Sequence, residues 1–256
     1  MSAAGPLAGI GVLVTRPVEQ AARLMLRLGD LGAAPLLFPA LAIAPAAASQ
    51  NLEATLARVE QYDLHLFISP TAAQFGLTAL SSDTIKNLRA AAIGNGTAAA
   101  LHAKGVNNIL TPITGADSEH LLALPQFGEL AGKRVLIFRG EGGRELIADT
   151  LRARGATVDY AECYRRVCPQ VDATPLQQAL AQHQIQAITA FSGETLDNLV
   201  ALLGAAAAKN ASMLPLFVPH ARIAQHAQGL NFVQTVTTAP GEDGVLAGLV
   251  EYFGHD

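Results

Sequence analysis

A ten-residue stretch near the start of the chain returns 123 positions later, so any fold must be built from two similar halves. Leu7-Ala8-Gly9-Ile10-Gly11-Val12-Leu13-Val14-Thr15-Arg16 matches Leu130-Ala131-Gly132-Lys133-Arg134-Val135-Leu136-Ile137-Phe138-Arg139. The same shift pairs Leu28 and Gly32 with Leu151 and Gly155, and Ser69, ending Leu64–Ser69, with Ser192, ending Ala187–Ser192. Downstream it drifts by one or two residues, pairing Gly105-Val106-Asn107 with Gly229-Leu230-Asn231. Matches that share order as well as residues signal two copies of one unit.

Each copy reads as strand, helix, strand, helix, strand, helix, strand. In the second copy Arg134–Phe138 is a β-branched and aromatic run, broken by Gly140-Glu141-Gly142-Gly143. Glu145–Arg154 then carries Leu146, Ile147 and Leu151 at helical spacing and ends at Gly155. Strand, glycine turn and amphipathic helix in that order predict a parallel, doubly wound α/β sheet. Short apolar runs such as Leu64–Ile68 suit strands covered on both faces. Two small sheets of this kind are expected to leave a cleft between them.

Half of the 256 residues are hydrophobic and only 15% are charged, which excludes a disordered chain. The most apolar run, Leu31–Ser49, carries Pro35, Pro39 and Pro45 after Gly32, so it predicts a buried strand and a loop rather than a membrane span. Met1–Val14 has no basic residue ahead of its apolar stretch, which is unlike a secretory signal and points to a cytosolic protein. Cys163 and Cys168 have neither zinc-knuckle nor redox spacing. A net charge of −4, no run of Lys and Arg and no Trp argue against nucleic acid as a partner.

Pro-rich stretches follow the second strand of each copy, at Phe38–Pro45 and Cys163–Pro175. Either the chain crosses between lobes at both places, making one lobe discontinuous, or two sequential domains divide near Leu124–Glu129.

Ligands of open α/β sheets bind beyond the carboxyl ends of the strands, where helix N-termini present free N–H groups. Thr15-Arg16-Pro17 falls there in the first copy, and Arg139-Gly140-Glu141-Gly142-Gly143-Arg144 in the second. The two guanidiniums suit carboxylates or phosphates, though a turn with solvated arginines reads equally well. Ser69-Pro70-Thr71-Ala72-Ala73 and Phe191-Ser192-Gly193-Glu194 are strand-to-helix junctions that serve as N-caps, as ligand sites, or both. Ile93-Gly94-Asn95-Gly96-Thr97 is a further Gly-rich junction, with Val218-Pro219-His220-Ala221-Arg222 as its counterpart. Arg16, Arg139, Arg144 and Arg222 thus gather at predicted binding ends of an acidic chain. No zinc-protease motif, nucleophile elbow or complete dinucleotide fingerprint is present. His65 reads as a core histidine, and Asp63 and Asp117 as loop or cap residues. Tyr160 and Tyr164 are either structural or cleft-facing.

The chain resembles the uroporphyrinogen-III synthase family over nearly its whole length. The resemblance rests on Val12-Leu13-Val14-Thr15-Arg16-Pro17, Phe67-Ile68-Ser69-Pro70-Thr71-Ala72-Ala73, Ala92-Ile93-Gly94-Asn95-Gly96-Thr97-Ala98, Val135–Arg144 and Cys163-Tyr164-Arg165-Arg166. It implies two flavodoxin-like lobes joined by a two-stranded linker, near 38–43 and 163–168. Residues 1–37 and 169–256 would form the discontinuous lobe and 38–168 the inserted one. It implies a monomeric hydro-lyase without a cofactor, whose small-molecule substrate is hydroxymethylbilane, a linear tetrapyrrole with eight carboxylates, and whose product is uroporphyrinogen III. Tyr164 would assist departure of the substrate hydroxyl, since a phenol stays protonated at neutral pH. Arg16, Ser69, Thr71, Gly94, Thr97, Arg139, Gly140, Arg144, Ser192, His220 and Arg222 would bind the substrate. The competing expectation is a non-catalytic, two-lobed binding protein or sensor for an anionic metabolite.

Overall fold

A computed structural model describes residues 5–115, 117–143 and 145–254. They form two compact units, Met1–Ala42 with Val167–Asp256, and Ile43–Arg166. The strands are β1 (Gly11–Val14), β2 (Ala34–Leu37), β3 (Ala42–Pro45), β4 (Leu64–Phe67), β5 (Arg89–Ala92), β6 (Asn108–Leu110), β7 (Arg134–Gly140), β8 (Thr157–Val167), β9 (Ala187–Thr189), β10 (Leu216–Val218) and β11 (Thr235–Thr237). The helices are α1 (Val18–Asp30), α2 (Gln50–Leu56), α3 (Pro70–Gly76), α4 (Ser82–Asn87), α5 (Asn95–Ala103), α6 (Ser118–Leu122), α7 (Leu146–Ala153), α8 (Thr174–Ala181), α9 (Gly193–Ser212), α10 (Ala221–Gly229) and α11 (Gly241–Phe253).

The first unit holds a parallel sheet ordered β11-β10-β9-β1-β2, and the second a sheet ordered β3-β8-β7-β4-β5-β6, parallel from β8 to β6. Both repeat the flavodoxin-like order 2-1-3-4-5, with β1 and β2, or β7 and β8, supplying the first two strands. The five-stranded sheet therefore takes β1 and β2 from the first sequence copy and three strands from the second, and the six-stranded sheet takes β3 to β6 from the first copy and β7 and β8 from the second. The copies are units of sequence, and the sheets exchange their halves.

Alternation along the central strands buries both faces. Val12 and Val14 pack on one side of the first sheet and Leu13 on the other; Leu136 and Phe138 oppose Val135 and Ile137 in the second. A short strand covered twice reads as an unbroken apolar run. Helix ends repeat as closely as strands. Gly32 (φ 87°) and Gly155 (φ 88°) follow α1 and α7, and the next residue's N–H reaches back to Leu28 and Leu151.

The structure corrects several expectations. Gly105 (φ 92°) pairs with Asn231 (φ 66°) rather than Gly229, because these are the left-handed residues after α5 and α10; Val106 and Phe232 then bond back to Leu101 and Ala227. The extra length lies in α9, where Gly204 (φ 70°, ψ 168°) separates two helical segments that match α3 and α4. Each copy also contributes a further strand, β6 or β11, too short to show a pattern. β2 is a half-buried edge strand rather than a buried one, which is why Pro35 is tolerated in it. The second strand of the second copy and the Cys163–Val167 crossing are one continuous strand, β8, since no proline interrupts it before Pro169. The Glu145–Arg154 helix is trimmed to α7, with Glu145 and Arg154 as its caps.

Candidate active site

In the second unit the strand ends gather Ser69, Thr71, Gly94, Thr97, Arg139, Gly140 and Tyr164. The pairing of β7 with β8 slips between Arg139 and Gly140, bringing Tyr164 opposite Gly140. A Cβ on Gly140 would lie 2.6 Å from Cε2 and 2.7 Å from Cζ of the tyrosine, so only glycine lets the ring lie against the strand. Phe75 of α3 packs on Tyr164 with ring centroids 6.0 Å apart, and the tyrosine is 9% exposed.

The phenol oxygen stands 3.4 Å from Ser69 Oγ. Ser69 caps α3 by accepting from the Ala72 N–H at 3.0 Å, and its hydroxyl keeps a donor and a second lone pair for Tyr164. Gly96 of α5 lies beside Pro70, so the first turns of α3 and α5 meet next to this hydroxyl pair. Helix starts carry N–H groups without intrahelical partners and partial positive charge. A phenol with one polar partner in such a setting can pass its proton to a departing oxygen while the helix starts stabilise anionic groups. Next to it, burial pushes the Cys163 thiol up to about 12, and its Sγ–H donates to the Arg139 carbonyl. No thiolate nucleophile is available there.

Gly94 is the extended N-cap residue of α5, and Thr71 is half-buried in the first turn of α3. Thr97, in the first turn of α5, is buried to 2% exposure. Arg139 departs from expectation. It is an enclosed cation rather than an open one, because its side chain turns back over its own loop. Its guanidinium donates to the Gly142 carbonyl at 3.0 Å and to Glu145 at 2.9 Å, lies 3.7 Å from Glu162 and stacks on Tyr160 at 4.6 Å. Tyr160 donates its hydroxyl to the other oxygen of Glu145. Those two bonds hold the Glu145 carboxyl below its ordinary range, while burial and the carboxylate push the Tyr160 phenol up. Arg144 lies outside the described residues.

In the first unit Arg16, Ser192 and His220 stand at the carboxyl ends of β1, β9 and β10, with Arg222 in the first turn of α10. Ser192 caps α9 through the Thr195 N–H, whereas His220 is an exposed N-cap residue without a capping bond. Arg222 is exposed. Arg16 is not free: it is bonded to Glu242 and lies 4.6 Å above the Phe191 ring. Burial lowers its pKa, and Glu242 opposes that shift.

His65 is a core residue, with Nε2 2.9 Å from the Val59 carbonyl and Nδ1 3.3 Å from that of Arg89. Asp117 caps α6, and Asp63 accepts from Arg134 N and Lys133 Nζ. Among the described residues no three His, Cys, Asp or Glu side chains converge as a metal site. No helix among them is long and apolar enough to cross a membrane.

Sequence reasoning missed Glu145, Glu242 and Phe75 as parts of these sites, while Phe191 falls in the junction singled out before α9. A signal was available for Phe75, which lies in α3 six residues beyond the capping serine.

Residues 22–247 match the family described as "Uroporphyrinogen-III synthase HemD". The chain is 38% identical to the uroporphyrinogen-III synthase of Escherichia coli K12 over 76% of its length and 80% of that protein. It is 36% identical to that of Salmonella typhimurium LT2 over 75% and 80%. Among solved structures, it superposes on the uroporphyrinogen-III synthetase of Helicobacter pylori 26695 with TM-score 0.65 at 11% identity, covering 95% and 99% of the two chains. A mutant uroporphyrinogen III synthase from Thermus thermophilus gives 0.56 at 16% identity, covering 96% and 100%. These two likenesses show the fold.

Proposed function

The chain belongs to the uroporphyrinogen-III synthase family, and from that premise we propose that it converts hydroxymethylbilane to uroporphyrinogen III without a cofactor. The observation that carries the reading is the partly buried Tyr164–Ser69 hydroxyl pair beside two helix starts.

The reaction asks for a proton and a shape. A hydroxymethyl-pyrrole expels its oxygen with its own nitrogen lone pair once that oxygen is protonated, leaving water and an azafulvene. Tyr164 supplies the proton, and Ser69 holds the phenol toward the leaving oxygen. The azafulvene carbon then bonds to the substituted α-carbon of ring D to give a spiro intermediate. The bond from that carbon to the methylene bridge of ring C breaks, leaving an azafulvene on ring C, whose carbon bonds to the free α-position of ring D. Loss of the proton there closes the macrocycle with ring D inverted. Left free, the activated end closes on the unsubstituted position and gives the uninverted isomer. Restraining the chain against that route is an orientation effect worth several kcal/mol. Its grip falls to backbone N–H groups after Ser69, Gly94 and Ser192 and to the side chains of Arg16, Arg139 and Arg222. We place the protein in the cytosol as a monomer.

Fresh hydroxymethylbilane is incubated with the protein and the oxidised products are resolved by chromatography. Isomer III in excess over spontaneous isomer I is expected; isomer I alone would leave a non-catalytic binder of anionic metabolites. Tyr164→Phe, which keeps the ring on Gly140, is expected to lose roughly 10²-fold or more in turnover with an unchanged melting curve. Undiminished turnover would remove Tyr164 from the acid role.

A further inference from the structure

Arg16 and Arg139 are equivalent residues of the two sequence copies. Each guanidinium lies 4.6 Å from an aromatic ring and is neutralised by a glutamate: Phe191 and Glu242 for one, Tyr160 and Glu145 for the other. The rings and glutamates are not equivalent between copies, since the 123-residue shift carries Glu145 onto Ala22 and Tyr160 onto Leu37. Duplication accounts for the arginines but not for their partners. The same neutral assembly has been built twice, by different elements, at the sheet ends where ligands of this fold class bind.

A buried guanidinium without a counter-ion is costly, so some carboxylate must stand by it when no ligand does. At Arg139 the two partners differ sharply: the arginine side chain is 4% exposed and that of Glu145 49%. Glu145, already half in water, leaves by giving up its bonds to Arg139 and Tyr160 and its 3.8 Å approach to Arg152, while Arg139 stays stacked on Tyr160 with Glu162 3.7 Å away. Two glycines in the left-handed region, Gly142 (φ 69°) and Gly143 (φ 124°), stand shortly before Glu145, and the Glu145 side chain makes no capping bond to its own helix. Arg139 also borders a cavity of about 320 Å³ walled by Ile68, Ile93, Ile137 and Ile147. Asp117 and Glu119 line it as well, Asp117 being held by His120 Nδ1 at 2.6 Å.

We propose that Glu145 is an internal stand-in for a substrate carboxylate: it occupies Arg139 in the free protein, and a carboxylate of the tetrapyrrole displaces it. The proposed function supplies the ligand's identity, but the exchange itself needs only a polycarboxylate. An internal competitor lowers apparent affinity by the fraction of time it holds the site. Glu145 therefore sets affinity, and its removal strengthens binding.

Uroporphyrin III, the air-stable octacarboxylate, is titrated into the whole chain by fluorescence. Glu145→Gln is expected to lower Kd about two- to tenfold and to lower KM by a similar factor. Adding Arg139→Gln cancels the gain. Glu141→Gln, which removes one carboxylate from the same loop without touching Arg139, leaves Kd at the wild-type value. Should Glu145→Gln melt below the assay temperature, Glu145→Asp, with its carboxylate drawn back by one methylene, gives a smaller shift in the same direction. Unchanged or weaker binding by a folded Glu145 variant overturns the proposal, as does an equal gain from Glu141→Gln. The isomer assay on the wild-type chain is separate. Isomer III without a shift in Kd sinks the exchange alone, and a shift in Kd without isomer III sinks the synthase reading alone.

Discussion

The Tyr164 hydroxyl is placed by a hydrogen atom: the one that Gly140 carries instead of a side chain. Gly140→Ala would set a methyl group 2.6 Å from the ring, and the ring must move because the strand backbone on its other side cannot. The expected cost is about 1–3 kcal/mol of stability, with a turnover loss of roughly 10²-fold. Comparing the thermal melt with kcat at a temperature where the variant is folded separates the two; full turnover in a folded Gly140→Ala chain would mean the ring position is immaterial. His65 makes a different demand. Burial holds its imidazole below the ordinary value of 6.5, against the pull of the Val59 and Arg89 carbonyls. As pH falls, the unfolded chain takes up this proton before the folded one does. The stability tied to His65 is therefore complete above about pH 6.5 and drains as pH drops through the lower folded value. Melting temperatures from about pH 7.5 down to 5 should fall more steeply for the wild type than for His65→Gln; parallel slopes would contradict this.

Two serines in equivalent places perform the same task at the level of the helix. Ser69 and Ser192 each accept the N–H three residues on, at 3.0 and 3.1 Å, and each stands at the end of a central strand. Replacing either by alanine should cost about 1 kcal/mol of stability, the usual worth of an N-cap. Only Ser69 also touches Tyr164, so only Ser69→Ala should lower kcat at saturating substrate. Equal kinetic losses for both variants would show that the caps, and not the hydroxyl pair, matter to turnover. The caps, the Schellman glycines after α1 and α7 and the double-sided strands were legible in the sequence, because each is a local pattern that both copies print. The edge strands β6 and β11 were not, being three residues long with no face wholly buried. Nor was the meeting of Tyr164 with Gly140, which depends on a register shift between strands joined through α7. The glutamates on Arg16 and Arg139 escaped notice for the same reason. Ion pairs between non-equivalent elements leave no periodicity behind: Arg16 looked open because Glu242 lies far along the chain, and Arg139 because nothing in the spacing shows its side chain folding back on Glu145.

At the scale of the whole chain, the duplication and the architecture disagree about where to cut, and the disagreement is testable. A sequence reader would divide the protein between its copies, near Leu124–Glu129. A fragment of residues 1–128 would contain β1 and β2 without β9, and β4, β5 and β6 without β7, leaving both groups with an unpaired central edge. Such edges expose a ladder of N–H and C=O groups together with apolar faces built for burial on both sides. By contrast, residues 43–166 hold β4 to β8 in an uninterrupted parallel array, with the clusters around Phe67–Phe138 and Ile137–Leu151 on its two faces. The 43–166 fragment should accordingly melt in one cooperative transition and protect its β4 and β7 amides from hydrogen exchange, while 1–128 should aggregate or exchange freely. A cooperative, protected 1–128 fragment would mean that a sequence copy can close a sheet alone. The exchanged halves would then be one of two arrangements open to this sequence rather than the one its strand pairings require.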